Sequence, residues 1–159
     1  MQLFTPPLLD RLIDVQPLAR TEPLRTVMSI GQLKDAVARD VESLLNSRRG
    51  AAKGPLEQHE LARSSVLAFG LDDFASLSMA SKTDRDAICR SIERAITDHE
   101  PRLRNARVAL EERHADARKL RFSIHALLIS HPLQEPVNFD AVLQTTTQNY
   151  AVQTTRRVA

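Results

Sequence analysis

The chain has 159 residues, 42% hydrophobic and 26% charged, which is the composition of one globular domain able to bury its own core. One cysteine, Cys89, excludes an internal disulfide framework and any cysteine-based zinc cluster, and fits a reducing compartment. With 22 Lys and Arg against 20 Asp and Glu the net charge is +2, too small for a strong nucleic-acid field, and 0 Trp with 1 Tyr leave little to stack on bases.

Residues 1–28 hold Pro6, Pro7, Pro17 and Pro23 and an apolar patch of Leu8, Leu9, Leu12 and Ile13. That spacing predicts one or two turns of amphipathic helix after the first prolines. A helix so short is marginal alone, so this extension is expected to dock on the domain or on another protein through Leu8, Leu9 and Leu12. The opening MQLFTPPLLDRLID lacks a basic n-region, and no window approaches the roughly 18 apolar residues of a membrane span. A cytoplasmic chain without direct membrane insertion is expected.

A single domain is predicted over residues 29–152. Its first helix runs from Ser29 to Asn46, with Ser29 and Gln32 at capping-box spacing. Ile30, Leu33, Val37, Val41, Leu44 and Leu45 form one apolar stripe, with Lys34, Asp35, Arg39 and Glu42 off it. Residues 47–60 read as a polar connector. Val66, Leu67, Phe69, Leu71 and Phe74 predict a short buried segment that turns at Gly70. A second helix is predicted from Ser81 or Thr83, burying Ala87, Ile88, Ile92, Ala95 and Ile96, and ending near His99 because Pro101 disfavours helix at Glu100.

The pattern then changes to period two. Ala106, Val108 and Leu110 share one face over 102–111, and Leu120, Phe122, Ile124, Ala126 and Leu128 share one face over 119–130. Leu127 and Ile129 make the end of the latter apolar on both sides, as in a central strand. Glu111 to Ala117 form the predicted hairpin connection. After Pro132 and Pro136, Val137, Phe139, Ala141 and Leu143 share a face, and Tyr150 with Val152 resume a strand beyond a turn at 145–149. The fold class expected is α+β: two main helices packed on an antiparallel sheet of three to four strands, with an N-terminal extension and a polar tail over 153–159.

Little in the sequence points to catalysis. Glycines at 31, 50, 54 and 70 form no phosphate-cradling loop, and the five histidines include no i, i+4 metal pair, so no cofactor and no metal are expected. Cys89 beside the Ile88 stripe reads as a packed thiol. Glu100 stands at a helix C-terminus, where a carboxylate is disfavoured by up to about 1 kcal/mol, which calls for a compensating arginine or a partner protein. Arg102, fixed by Pro101, can present a guanidinium fork to a carboxylate. A glycan hydrolase would use Glu100 as general acid with Asp98, Asp72 or Asp73 as second carboxylate. The cluster Arg102, Arg104, Arg107, Arg113, Arg118, Lys119 and Arg121 reads as a solvated hairpin. As a docking face it suits an acidic protein surface as well as a weak nucleic-acid-binding module.

Four stretches together carry a resemblance. They are Pro7-Leu8-Leu9-Asp10-Arg11-Leu12; VARDVESLLNSRR over 37–49, with Ser47 where an LLNTRR-type sequence has Thr; SVLAFGLDDF over 65–74; and Glu100-Pro101-Arg102-Leu103. In the third, Ala68, Phe69 and Asp72 depart from an SVLNYGLPDF-type segment. In this order and spacing the chain resembles the TssE family of the type VI secretion baseplate, similar to contractile-phage baseplate wedge proteins that are sometimes labelled lysozyme-like. The resemblance implies a structural protein, not an enzyme. It implies a place in the cytoplasmic baseplate docked on the inner-membrane complex, joined to TssF and TssG with TssK nearby. It implies a platform on which the TssB and TssC sheath polymerises, and no nucleic-acid partner. It links Glu100, Pro101 and Arg102 to assembly contacts. Free edges of the small sheet are expected to accept a partner's strand.

Overall fold

The computed structural model describes residues 3–12, 27–50, 58–74, 77–78, 81–111 and 119–155. Helices α1 (Leu8–Leu12), α2 (Ile30–Asn46), α3 (Glu60–Arg63) and α4 (Lys82–His99) precede strands β1 (Leu103–Leu110), β2 (Lys119–Ser130), β3 (Leu133–Gln144) and β4 (Asn149–Thr154). The strands form one antiparallel meander in the order β1-β2-β3-β4. The α+β architecture expected from the sequence is the one observed.

The two long helices begin where their caps place them. Ser29 Oγ accepts from the Gln32 backbone N–H at 3.3 Å, and Gln32 Oε1 accepts from Ser29 N–H at 2.8 Å, the reciprocal capping box. Ser81 Oγ accepts from the Asp84 backbone at the start of α4. Leu33, Ala36, Val37, Ala38, Val41, Leu44 and Leu45 turn one face of α2 inward, and Ile88, Ile92, Ala95 and Ile96 do the same for α4. α2 packs chiefly on β4 and α4 on β1, so both helices lie on one side of the sheet. Phe122, Ile124, Leu128 and Phe139 fill the layer between, each almost fully enclosed.

Three local features differ from the expectation. The connector after α2 starts with order: Leu71 N–H donates to Ser47 O and Arg49 N–H donates to Leu71 O, both at 2.9 Å, a parallel bridge. Gly70 makes the approach possible, because it has φ +107° and a Cβ there would lie 2.5 Å from Ser47 O. Val66 and Leu67, expected inside, are 83% and 61% exposed, while Ala68 and Leu71 are buried. A 3-10 turn over Val66–Ala68 sends its neighbouring side chains in different directions, which apolar density alone does not reveal. Third, β3 starts at Leu133, before Pro136. Pro136 opposes Leu127 on β2, whereas β4 pairs only Phe139–Gln144, so the missing proline N–H costs no bond to β4.

β1 carries a bulge between Arg104 and Arg107, where Asn105 has φ 54°. The extra residue puts Leu103 on the inward face with Ala106 and Val108, which strict alternation forbids. The predicted hairpin connection lies mostly at 112–118, and much of the connector at 51–57, outside the described residues.

Helix side chains cover two outward positions on each outer strand. On β4, Glu42 Oε2 accepts from Val152 N–H at 2.7 Å; Asn46 Oδ1 accepts from Tyr150 N–H at 2.8 Å and its amide donates to Tyr150 O at 2.9 Å. On β1, Glu93 Oε1 accepts from Val108 N–H at 2.8 Å, and the Leu110 backbone hydrogen-bonds Cys89. Each helix uses an i, i+4 pair to meet two outward positions of an edge strand. The expectation of free margins does not hold for these stretches, because their outward N–H groups are already satisfied.

Tyr150 packs against Phe122, ring centroids 6.3 Å apart, and its buried hydroxyl has no hydrogen-bond partner among the described residues. Burial pushes its pKa from 10.0 up to about 12. An acid whose folded pKa is raised keeps its full contribution below pH 10 and loses it as pH climbs to 12, about 2–3 kcal/mol in all. Tyr150→Phe is therefore expected to be as stable as the wild type or more so at pH 7, and to lack that part of the alkaline loss. Urea unfolding of both proteins between pH 7 and 12 checks this; parallel stability curves would contradict it.

Candidate protein-binding site

The corner between α4 and β1 is built by a helix that cannot continue. Pro101 forces Glu100 out of helical geometry, and the Glu100 backbone closes α4 by donating to Ile96 O at 2.8 Å. Leu103 N–H then donates to Glu100 O at 3.0 Å, and Ile129 N–H on β2 donates to Arg102 O at 2.8 Å. The backbone of the motif is tied to both α4 and the central strand.

Its side chains form a charge cluster. Glu100 is 6% exposed, the one buried charged residue among those described. Arg102 Nε donates to Glu100 Oε1 at 2.7 Å and Nη2 to Oε2 at 2.5 Å, a two-pronged grip, while the Arg102 backbone N–H adds a third bond to Oε1 at 3.1 Å. Nη2 also donates to Asp40 Oδ2 on α2 at 2.5 Å. The carboxylate that a helix C-terminus disfavours is thus compensated within the chain. Hydrogen bonding to Glu100, aided by Asp40 and opposed by burial, pushes the Arg102 pKa still further above its ordinary value. Pro101 stands exposed at the tip, and part of the Arg102 side chain still meets solvent.

The N-terminal candidates lie on α1, a separate helix. Leu8 and Leu12 are 69% and 70% exposed on α1, and the Leu9 side chain lies outside the described residues. Asp10 of α1 forms an ion pair with Arg39 of α2, so the leucine patch and the Glu100 corner attach to α2 at adjacent residues, Arg39 and Asp40. Phe4, passed over in the sequence, anchors the extension. It is buried in the core, and it exchanges two backbone hydrogen bonds with Met28 at 2.8 and 2.7 Å.

Of the carboxylates that a hydrolase would need, Glu100, Asp98 and Asp72 each face an arginine of the chain. Glu100 accepts at both oxygens, whereas a general acid must offer a proton. Asp98 pairs with Arg94 and Asp72 with Arg49, each at 3.7 Å. Cys89 is half-buried, the packed thiol expected, and burial pushes its pKa up.

Residues 31–133, spanning α2, the corner and the first hairpin, match the sequence profile of baseplate wedge protein gp25. The chain belongs to this family. The family includes TssE, so the relationship suggested by the four stretches holds. No curated protein matches the chain. As a baseplate wedge protein the chain has a structural role in a baseplate and interacts with other baseplate subunits. The family is a structural component and not a known enzyme class.

Within this wedge protein, removing Arg102 strands a buried carboxylate. Arg102→Ala is expected to cost about 3 kcal/mol or more, and Glu100→Gln about 1–2 kcal/mol because its amide oxygen still accepts. Urea unfolding measures both. Losses below about 0.5 kcal/mol in each would mean that the cluster behaves as a solvated surface pair.

Proposed function

We propose that the chain is the TssE-type subunit of a type VI secretion baseplate, working in the cytoplasm at the baseplate docked on the inner-membrane complex. The observation that carries this reading is the family match over residues 31–133, which contains the Glu100-Pro101-Arg102 corner. The subunit joins TssF and TssG, with TssK nearby, and helps form the platform for the TssB and TssC sheath.

In this reading the corner and α1 are the joining surfaces. Glu100 acts through Arg102: its carboxylate fixes the guanidinium, and the partner meets exposed Pro101 and the solvent-facing part of Arg102. Leu8, Leu9 and Leu12 supply an apolar contact on the neighbouring side of α2, where two exposed leucines one helical turn apart already face outward. Because the outward N–H groups of Val108, Leu110, Tyr150 and Val152 are occupied, the joining surfaces are faces and corners in preference to those stretches of strand edge.

The test is co-expression with TssF and TssG followed by size-exclusion chromatography. The wild type is expected to co-elute with them. Leu8→Ser/Leu12→Ser, on exposed residues, and Arg102→Lys, which keeps the charge but loses the fork, are expected to weaken co-elution by about tenfold while remaining folded. A wild type that elutes alone, or that turns over peptidoglycan with activity lost on Glu100→Gln, would overturn the assembly reading.

A further inference from the structure

α2 and α4 cover one side of the sheet, which leaves its other face open among the described residues. That face is divided by charge. Arg104 and Arg107 of β1 and Lys119 and Arg121 of β2 all project from it, and all four are exposed. None makes a side-chain ion pair or hydrogen bond with a described residue. The outward positions of β3 and β4 are mostly neutral, with amides at Gln134, Asn138, Gln144, Asn149 and Gln153, and Asp140 as their acid.

Several acids of the helical side are used internally. Asp10, Asp40, Glu100 and Glu135 hold Arg39, Arg102 and Lys34, while Glu42 and Glu93 hold backbone N–H groups at the sheet margins. In a chain with a net charge of only +2, the β1–β2 half of the open face therefore sets four cations against one described acid, exposed Glu111, whose backbone N–H donates to Arg121 O, and so carries an excess of positive charge.

We propose that this open face docks an acidic surface of a neighbouring protein. The four cations supply charge complementarity, and the amides beside them donate to and accept from polypeptide groups. Nucleic acid is the less suited occupant, because no Phe, Tyr or Trp stands at an outward position of β1 to β4 for a base to stack on, and the imidazole of His125 there is hydrogen-bonded to Asn138. The proposal rests on the assembly reading only in making the occupant a protein.

The test uses the full chain and fluorescence anisotropy with labelled poly-glutamate, duplex DNA and phosphatidylserine vesicles as probes. Poly-glutamate is expected to bind, to weaken about tenfold or more between about 50 and 200 mM salt, and to weaken about tenfold in Arg107→Glu/Arg121→Glu. The double variant Lys82→Glu/Arg90→Glu, on exposed positions of α4, changes the net charge equally and is expected to bind like the wild type. Circular dichroism confirms that both variants fold. No poly-glutamate binding, equal loss in both variants, or tighter binding of DNA or vesicles through the same two arginines would each overturn the proposal. In the co-expression assay, a wild type that co-elutes with baseplate subunits while Arg107→Glu/Arg121→Glu does not supports it. A wild type that never co-elutes refutes the assembly reading, and the poly-glutamate result still decides the face on its own.

Discussion

A guanidinium shared by two carboxylates from different helices organises this protein. Glu100 caps the end of α4, Asp40 lies in the middle of α2, and Arg102 immediately precedes β1; one side chain therefore joins both helices to the start of the sheet. Each partner alone would be a liability. A carboxylate at a helix C-terminus meets the negative end of the macrodipole, and a largely desolvated arginine needs acceptors for its fork. Together they satisfy one another, and Pro101 sets the backbone so that the fork and the carboxylate meet without a long search through rotamers. A tripeptide that reads in the sequence as free charges thus serves the architecture first, and the outward role proposed for it falls to Pro101 and the remaining surface of Arg102.

The same economy closes the sheet. A four-stranded meander has two edges open to strand addition, yet Glu42 and Asn46 on α2 and Cys89 and Glu93 on α4 each reach over the margin to outward backbone groups. A subunit that must join several neighbours in a fixed order benefits from edges that do not pair promiscuously. The proposed joining surfaces are instead the corner, the exposed leucines of α1 and the open face of the sheet, three surfaces whose chemistry differs.

Much of this was legible because periodicity and caps are local. Ser29 and Gln32 stand three residues apart, and the alternation from Leu120 to Leu128 follows from the pleat alone. What escaped needed distant partners. Asp40 precedes Arg102 by 62 positions, and Glu42 reaches a backbone group 110 positions away, so nothing in their neighbourhoods distinguishes them from a solvated helix face. The bulge at Asn105 escaped because one inserted residue shifts the period without changing composition. Val66 and Leu67 escaped because apolar density does not encode direction. The corner itself was recognisable by its order among the four family stretches, while its internal neutralisation was not.

The account stands on Arg102 tying α2 to the corner, and a double-mutant cycle measures that tie most directly. Asp40→Ala, Arg102→Ala and the double variant are unfolded in urea, and the coupling free energy is taken from the three differences. The account predicts about 1–3 kcal/mol of favourable coupling. Additivity within about 0.3–0.5 kcal/mol would show that Asp40 and Arg102 act independently, and would contradict it.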